Sequence, residues 1–386
     1  MAYTSAVGEP RRILVLSASV GAGHLRAAEA VEAACRIRYP AAEVRNVDVL
    51  TLTPAPFRRM YGKGYLDLVN HAPELLGVLY QGTDRPPRSP VADRLRLAIE
   101  RLNTGRIVEL VRGFAPDVVC HTHFLPAAIV AHEKKKRRLR VPHAVVVTDF
   151  EVHRYWLCPG VARYFVAREE NRVHLEALGE PAQAVRITGI PVSPVFAESP
   201  DLAALRAKHD VPPGTRLLLV LPGGFGVGPV EAIVQGLWAC VHDVRMVVIA
   251  GRNEALRERL SRSAERAPVP TRVVGFTREM HEWMSLADLL VTKPGGLTTA
   301  EALACGLPLV VVSPIPGQET RNATMLYEAG AAISGENPYT IGYRVASLLA
   351  ATERRQAMSD AARRRGRPRA ALDVAEELGR LEGAPA

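Results

Sequence analysis

The amino-acid sequence predicts an α/β protein with two Rossmann-like, doubly wound domains. Short aliphatic segments alternate with stretches of helical periodicity, which is typical of parallel sheets buried on both faces. A glycine-rich turn follows the first predicted strand of each half of the chain. The length of 386 residues suits two domains of ordinary size.

The predicted strands fall into two series. The first series comprises Ile13–Leu16, Val44–Val49, Val118–Cys120, Ala144–Thr148 and Tyr164–Ala167. The second comprises Leu217–Leu221, Met246–Ala250, Arg272–Val274, Leu289–Thr292 and Leu309–Val312. A turn-rich segment at Thr188–Pro194 separates them, so we predict domains at residues 1–195 and 196–354, followed by a helical tail at residues 355–386.

Composition narrows the class of protein. The net charge of +9 favours an anionic partner, which could be nucleic acid, an anionic lipid surface or a phosphorylated substrate. No nucleic-acid-binding module accompanies the charge, so nucleic acid is not expected. The five cysteines occur singly, which argues against disulfides and zinc and favours a reducing cytoplasm. Neither a signal peptide nor a membrane-spanning segment is predicted.

The first predicted strand ends in a glycine turn, after which a helix is predicted over residues 25–37. Gly21 and Gly23 would let backbone amides approach a ligand. Asp48 is placed like the ribose-binding acid of dinucleotide-binding proteins, but Arg26 stands where their third glycine is needed. A nicotinamide-dependent oxidoreductase is therefore only an alternative.

Two further turns mark the second half. The spacing of Gly223 and Gly228 is that of a P-loop, but Pro229 and Val230 replace the lysine and hydroxyl residue, which argues against Walker-type hydrolysis. In the segment Lys293–Leu303, Thr298 with Glu301 fits a capping box, a purely structural explanation. The double glycine before them would then need another cause, namely close approach of a ligand.

Polar residues also follow the next predicted strand, in the segment Pro314–Asn322. Two consecutive strands thus carry polar clusters at their carboxyl ends. Open α/β sheets bind their ligands at that edge.

Six segments carry a resemblance to a known family, namely Val20–His24, Leu221–Ile233, Gly251–Asn253, Gly275–Thr277, Lys293–Thr298 with Glu301, and Pro316–Glu319 with Asn322 and Ala323. Together they resemble the monogalactosyldiacylglycerol synthase and processive diacylglycerol glucosyltransferase group of glycosyltransferase family 28. The segment Val146–Phe150, with His153 and Trp156, is associated with the diacylglycerol branch.

The resemblance implies a GT-B fold, with the two domains facing each other across a cleft. It implies an inverting transfer of glucose or galactose from a UDP-hexose to 1,2-diacylglycerol, giving β-hexosyl-diacylglycerol without a cofactor or metal. Transfer from UDP-N-acetylglucosamine to a peptidoglycan lipid precursor is the alternative within the family. Nothing in the sequence chooses between glucose and galactose.

The resemblance also assigns the donor site to the second domain. There the backbone near Phe276 would bind uracil, Glu301 the ribose hydroxyls, and Gln318 with Glu319 the hexose. Gly224 and the Gly295–Gly296 turn would bind the diphosphate. The complete donor set is Gly224, Arg252, Phe276, Gly295, Gly296, Leu297, Thr298, Glu301, Gln318 and Glu319.

The acceptor side would lie in the first domain. His24, at the end of the glycine turn, is the candidate general base, and Asp149 could orient or replace it. The other acceptor-side residues are Gly21, Gly23, His153 and Trp156. His121 and His123 would share one face of a strand, but no third ligand accompanies them and no metal site is predicted.

Two segments indicate peripheral association with the inner face of the membrane. An insertion from Leu52 to about Pro90 contains apolar residues such as Phe57, Met60, Tyr61 and Leu66, and the run Lys134–Arg140 could contact anionic headgroups. The alternatives are a helical pair that covers the sheet and a solvated helix end.

Overall fold

The computed structural model describes residues 11–61, 104–222 and 229–381. The chain forms two compact units, Met1–Pro194 with Arg369–Ala386, and Val195–Pro368. Within the described residues each unit contains one six-stranded parallel sheet. The predicted class, two Rossmann-like doubly wound domains, is confirmed.

The first unit is built on the strand order β2-β1-β3-β4-β5-β6. Its strands are β1 (Arg12–Ser17), β2 (Glu43–Asp48), β3 (Val118–His121), β4 (His143–Val146), β5 (Arg163–Val166) and β6 (Val185–Ile187). Its helices are α1 (Ala22–Arg38), α2 (Gly105–Phe114), α3 (Phe124–Lys135) and α4 (Glu169–Ala177), with 3-10 turns at Val49–Leu52, Arg154–Trp156 and Ala182–Ala184. Residues 55–61 are also helical.

The second unit has the order β12-β11-β10-β7-β8-β9. Its strands are β7 (Arg216–Leu221), β8 (Val244–Ile249), β9 (Thr271–Val274), β10 (Leu289–Thr292), β11 (Leu309–Val311) and β12 (Ala332–Ser334). Its helices are α5 (Leu202–Lys208), α6 (Val230–Cys240), α7 (Glu254–Ala264), α8 (Met280–Leu286), α9 (Gly296–Ala304), α10 (Gln318–Glu328), α11 (Ile341–Ala350) and α12 (Thr352–Arg365), after a 3-10 turn at Pro194–Ala197.

The central strands are buried on both faces. Ile13 and Val15 of β1 belong to one hydrophobic cluster, whereas Leu14 and Leu16 belong to the cluster on the other face. Alternate residues of a strand point to opposite faces, so a continuous aliphatic run fills both layers. Each fully buried side chain of this size contributes about 1.5–3 kcal/mol.

Two strands were not predicted. β6 and β12 have three residues each and lie at sheet edges, where Arg186 and Ser334 interrupt the aliphatic pattern. An edge strand needs burial on fewer sides and so carries a weaker hydrophobic signal.

The predicted tail, residues 355–386, contributes to both units. α12 lies in the second unit, where Ser359 donates a hydrogen bond of 2.7 Å to the carbonyl of Gly306. The last helix, α13 (Ala370–Gly379), lies in the first unit, where Val374 and Leu378 join the cluster that contains Val31 of α1. The chain leaves α12 at Gly366, where a Cβ would lie 2.3 Å from the carbonyl oxygen of Leu303.

Candidate active site

In each sheet the strand order reverses at one point, where the topology predicts a ligand crevice at the carboxyl edge. β1 lies between β2 and β3, and β7 lies between β8 and β10. The connections that leave neighbouring strands at these positions run to opposite faces of the sheet, which opens a crevice for a ligand. The glycine turn after β1 and the two polar segments after β10 and β11 lie at these carboxyl edges.

In the first unit the crevice is bordered by the start of α1. This helix begins at Ala22, three residues earlier than predicted, and extended Gly21 precedes it. Gly23 therefore lies in the first turn, where the first amides have no intrahelical partners. His24 is in the same turn and half-buried.

The ring of His24 is held by residues that follow two other strands. Its Nδ1 lies 3.1 Å from the carbonyl oxygen of Thr122 and 2.8 Å from Oγ1 of Thr148. The hydroxyl of Thr122 donates a bond of 3.0 Å to the carbonyl of His24. Neither threonine was predicted as a site residue.

The rings of His123 and Trp156 lie beside His24. The ring of His123 is 4.7 Å away in an edge-on arrangement, and that of Trp156 is 6.1 Å away. Burial lowers the pKa of His24 to about 4, although the hydrogen bond to the Thr122 carbonyl opposes the shift. The imidazole is therefore neutral at neutral pH, with one ring nitrogen carrying a lone pair.

Asp149 and two of the predicted acceptor-side residues, His153 and Trp156, follow Thr148 in the chain. Asp149 is buried, but it is not among the hydrogen-bond partners of His24 within the described residues. His153 is buried and caps a 3-10 turn, its Nδ1 accepting a bond of 3.1 Å from the amide of Tyr155. Trp156, in that turn, is 2% exposed.

His121 and His123 do not share a face of the strand. β3 ends at His121, whose Nε2 lies 3.2 Å from Nδ1 of His143. His123 precedes α3, and its Nδ1 accepts a bond of 3.0 Å from the amide of Leu125. Each imidazole thus has a separate partner.

In the second unit, α9 begins differently from the prediction. Its first residue is Gly296, its N-cap is Gly295, and no side chain of the described residues caps it. Thr298 is therefore the third helical residue, and the capping-box interpretation of Thr298 with Glu301 is wrong. The glycines allow the helix to start three residues earlier, and its first amides are left for another partner. Leu297 is buried, and Glu301 is only 4% exposed.

The turn that follows β11 packs against this helix start. Gly317, with a φ of 103°, precedes Gln318, the first residue of α10. The Oε2 of Glu319 accepts a bond of 2.8 Å from the amide of Ile315, and its Oε1 would lie 3.8 Å from a Cβ on Gly295. Burial raises the pKa of Glu319, and the nearby ammonium of Lys293 opposes that shift.

A buried amide connects the two turns. Asn322, 1% exposed, donates a bond of 3.0 Å from Nδ2 to the carbonyl of Pro294. Asn322 belongs to one of the segments that carry the family resemblance, but the sequence analysis predicts no role for it. Its position four residues after Gln318, on the same helix, is the signal that could have indicated it.

Arg252 and Phe276 follow β8 and β9. The guanidinium carbon of Arg252 lies 5.0 Å from the centroid of the Phe276 ring, which is 54% exposed. The guanidinium over this exposed ring offers a positive charge, and the ring offers a flat apolar surface. Both suit a planar anionic nucleotide. The loop of residues 223–228, which includes Gly224, lies outside the described residues.

A further polar cluster was not predicted. His209, Glu279 and Glu282 lie close enough together to hold a metal ion. The ammonium of Lys208 lies 2.8 Å from carboxylate oxygens of both glutamates, so the chain itself neutralises much of their charge.

The predicted membrane-facing segments are partly described. Phe57 is buried and stacks on Tyr61 at 5.4 Å, whereas Met60 is 59% exposed. Residues 62–103, which include Leu66 and the rest of the insertion, lie outside the described residues. Within the described ranges, no helix combines the length and apolarity that crossing a bilayer requires.

The basic run lies at the end of α3. Lys135, Lys136, Arg137, Arg138 and Arg140 are exposed, whereas Leu139 is buried. Since α3 starts at the edge of the sheet near His24 and is about 18 Å long, the run lies towards the opposite edge.

Comparison with known proteins places both halves among glycosyltransferases. Residues 24–192 match the monogalactosyldiacylglycerol (MGDG) synthase family, and residues 237–365 match glycosyl transferases group 1. The processive diacylglycerol beta-glucosyltransferase of Bacillus subtilis is 30% identical over 347 residues, which cover 88% of this chain and 87% of that protein. The enzyme of the same name from Bacillus cereus strain AH187 is 28% identical over 95% of this chain and 93% of its own.

Solved structures share the fold. MurG of Acinetobacter baumannii superposes with a TM-score of 0.61 at 15% identity, covering 96% of this chain and all of its own (100%). Anabaena HepE in complex with UDP-glucose gives a TM-score of 0.56 at 14% identity, covering 95% of this chain and 98% of its own. At these identities the likeness concerns the fold alone.

Proposed function

Because this chain belongs to the family of processive diacylglycerol β-glucosyltransferases, we propose that it transfers glucose from UDP-glucose to 1,2-diacylglycerol. The chain is a diacylglycerol hexosyltransferase, and the names of its relatives favour glucose over galactose. The observation that carries the mechanism is the neutral imidazole of His24 beside the crevice of the first unit.

The second unit is the proposed donor-binding domain. The first amides of α9, after Gly295, would bind the diphosphate, because a helix start without a side-chain cap attracts an anion. These amides would also stabilise the negative charge of departing UDP. They supply this stabilisation without a metal ion, so we propose that none is required.

The remaining donor contacts follow the chemistry of the side chains. Arg252 and the exposed face of Phe276 would take the uracil end. The carboxylate of Glu301 would bind the ribose hydroxyls, and Gln318 with Glu319 those of the hexose. Carboxylates suit diols because they accept two hydrogen bonds.

The first unit is the proposed acceptor domain, lined on the acceptor side by Gly21, Gly23, His153 and Trp156. His24 would take the proton of the diacylglycerol hydroxyl while the hydroxyl oxygen attacks the anomeric carbon. The bond from that carbon to the diphosphate breaks in the same step, and UDP leaves. Direct displacement on an α-linked donor gives a β-glucoside. Asp149 is the second candidate base.

We also propose that the enzyme acts at the inner face of the membrane as a peripheral protein. The acceptor is a lipid, and exposed Met60 and the exposed basic residues of the run Lys134–Arg140 support contact with an anionic surface. Because the run lies towards the sheet edge opposite His24, its role would be to anchor the unit and not to line the acceptor site.

The test is product analysis with the purified full-length protein. Vesicles containing either diacylglycerol or a peptidoglycan lipid precursor are incubated with labelled UDP-glucose, UDP-galactose or UDP-N-acetylglucosamine, with and without EDTA, and the lipids are separated by thin-layer chromatography. We expect β-glucosyl-diacylglycerol from UDP-glucose, with and without EDTA. A labelled product only from UDP-N-acetylglucosamine and a peptidoglycan lipid precursor would overturn the proposal.

A further inference from the structure

The proton on the ring of His24 can be located from its contacts. A carbonyl oxygen only accepts hydrogen bonds, so the contact of 3.1 Å between Nδ1 and the Thr122 carbonyl requires the proton on Nδ1. The hydroxyl of Thr148, 2.8 Å from the same nitrogen, then also accepts. In a neutral imidazole this leaves the lone pair on Nε2.

The ring is held across three neighbouring strands. His24 follows β1, Thr122 follows β3 and Thr148 follows β4, and β3 lies between β1 and β4 in the sheet. The hydroxyl of Thr122 also binds the backbone carbonyl of His24 at 3.0 Å. Both the backbone and the ring of His24 are therefore fixed.

Within the described part of the chain, the partners of Nδ1 are neutral oxygens and not a carboxylate. A carboxylate at this place would favour the imidazolium and raise the pKa of the histidine. The pKa of His24 is instead lowered to about 4 by burial. Among the described residues, Thr148 contacts Nδ1 of His24 and its chain neighbour Asp149 does not, so we assign the orienting role to Thr148.

We propose that Thr148 is the positioning residue of His24. Together with the Thr122 carbonyl it keeps the proton on Nδ1, so that Nε2 receives the proton of the acceptor hydroxyl. As the ring becomes charged, the bond from Nδ1 to Thr148 becomes charge-assisted and stronger. The inference rests on the proposed role of His24 as the base.

The experiment compares Thr148→Val, which removes the hydroxyl at nearly constant volume, with Thr148→Ser, which keeps it. Thr51→Val is the matched control, because Thr51 is exposed in the same unit and its hydroxyl binds a backbone carbonyl, that of Asp48. We expect Thr148→Val to lower kcat by about 10- to 100-fold, the effect of one hydrogen bond to a charged group. The KM for UDP-glucose should not change, and Thr148→Ser should restore most of kcat.

A second readout does not depend on activity. Proton–nitrogen NMR of the full-length protein, assigned with His24→Gln, reports which ring nitrogen of His24 carries the proton. We expect the proton on Nδ1 in the wild type. In Thr148→Val the Thr122 carbonyl is the one remaining acceptor for that proton among the described residues, so we expect a larger Nε2-protonated population than in the wild type. If kcat of Thr148→Val equals that of Thr51→Val, or if wild-type His24 carries its proton on Nε2, the inference is overturned. Full turnover of His24→Ala would refute the base assignment instead, and the NMR result would still decide whether Thr148 orients the ring.

Discussion

The two units share a doubly wound sheet but use its carboxyl edge differently. In the first unit the crevice is lined by side chains, with His24 held by Thr122 and Thr148. In the second unit the corresponding place is shaped by backbone, with Gly295 before α9 and a turn tethered by Asn322. One sheet edge can thus support a proton acceptor or an anion site, and the residues that follow the strands decide which.

The pKa shifts of buried groups also differ between the two units. Burial lowers the pKa of four histidines in the first unit, which are His24, His121, His123 and His143. In the second unit burial raises the pKa of Glu319 and lowers that of Lys293, two groups of opposite charge that oppose each other's shift. These four buried imidazoles of the first unit are therefore neutral at neutral pH, whereas Glu319 and Lys293 of the second unit form a pair of opposite charges.

Removing the base should give the largest effect. We expect His24→Ala to lower kcat by about 10²- to 10⁴-fold, the usual contribution of a general base. His174→Ala, on α4 of the same unit, is the control. Asp149→Asn should retain most of the turnover. The opposite pattern, with an active His24→Ala and an inactive Asp149→Asn, would move the base to Asp149.

Removing the buried carboxylate of the second unit should weaken donor binding. We expect Glu301→Ala to raise the Kd for UDP by about 10- to 150-fold, because a hydrogen bond to a charged group contributes about 1.5–3 kcal/mol. Glu328→Ala, at an exposed position on α10, is the control. Calorimetric titration measures both. A folded Glu301→Ala protein with wild-type affinity would show that Glu301 does not bind the donor.

Acid should destabilise the first unit through its neutral histidines. The pKa of His143 is lowered by burial to about 3, so below pH 6.5 the unfolded state binds more protons than the folded state. Stability is therefore lost as the pH falls from 6.5 towards 3, by about 2 kcal/mol per histidine between pH 7 and 5.

Urea unfolding at several pH values measures this loss. The free energy of unfolding of His143→Gln should decline less steeply with acid than that of the wild type. His242→Gln, at an exposed position in the second unit, is the control. Equal slopes for all three proteins would contradict the assignment of acid sensitivity to the buried histidines.

Membrane binding should show the smallest effect for each residue changed. Replacing Lys135, Lys136 and Arg137 with glutamine should weaken sedimentation with anionic vesicles by at most about 1 kcal/mol per residue, and salt should reduce that difference. Arg262→Gln with Arg266→Gln, both exposed in the second unit, is the control. Identical binding of all proteins to neutral and anionic vesicles would rule out the electrostatic contact.

Sequence alone could predict the buried strands and His24. The strands follow from aliphatic runs, and His24 follows from the glycine turn after the first of them. Thr122 and Thr148 lie 98 and 124 residues from His24, so only the sheet brings them to it. The sequence predicts that Asp149 orients or replaces His24, whereas the structure shows Thr148 in contact with the ring. The two residues are neighbours, and neighbouring residues near a strand end point to different sides. The start of α9 was missed because Thr298 imitates a cap.

The separation of tasks between the units is tested most directly by titrating UDP into His24→Ala, with the wild type and Glu301→Ala measured in parallel. Because we propose the base in one unit and the donor contacts in the other, we predict that His24→Ala binds UDP with the wild-type Kd although its turnover is strongly reduced. A Kd raised as much as that of Glu301→Ala would show that His24 takes part in donor binding and would contradict the account.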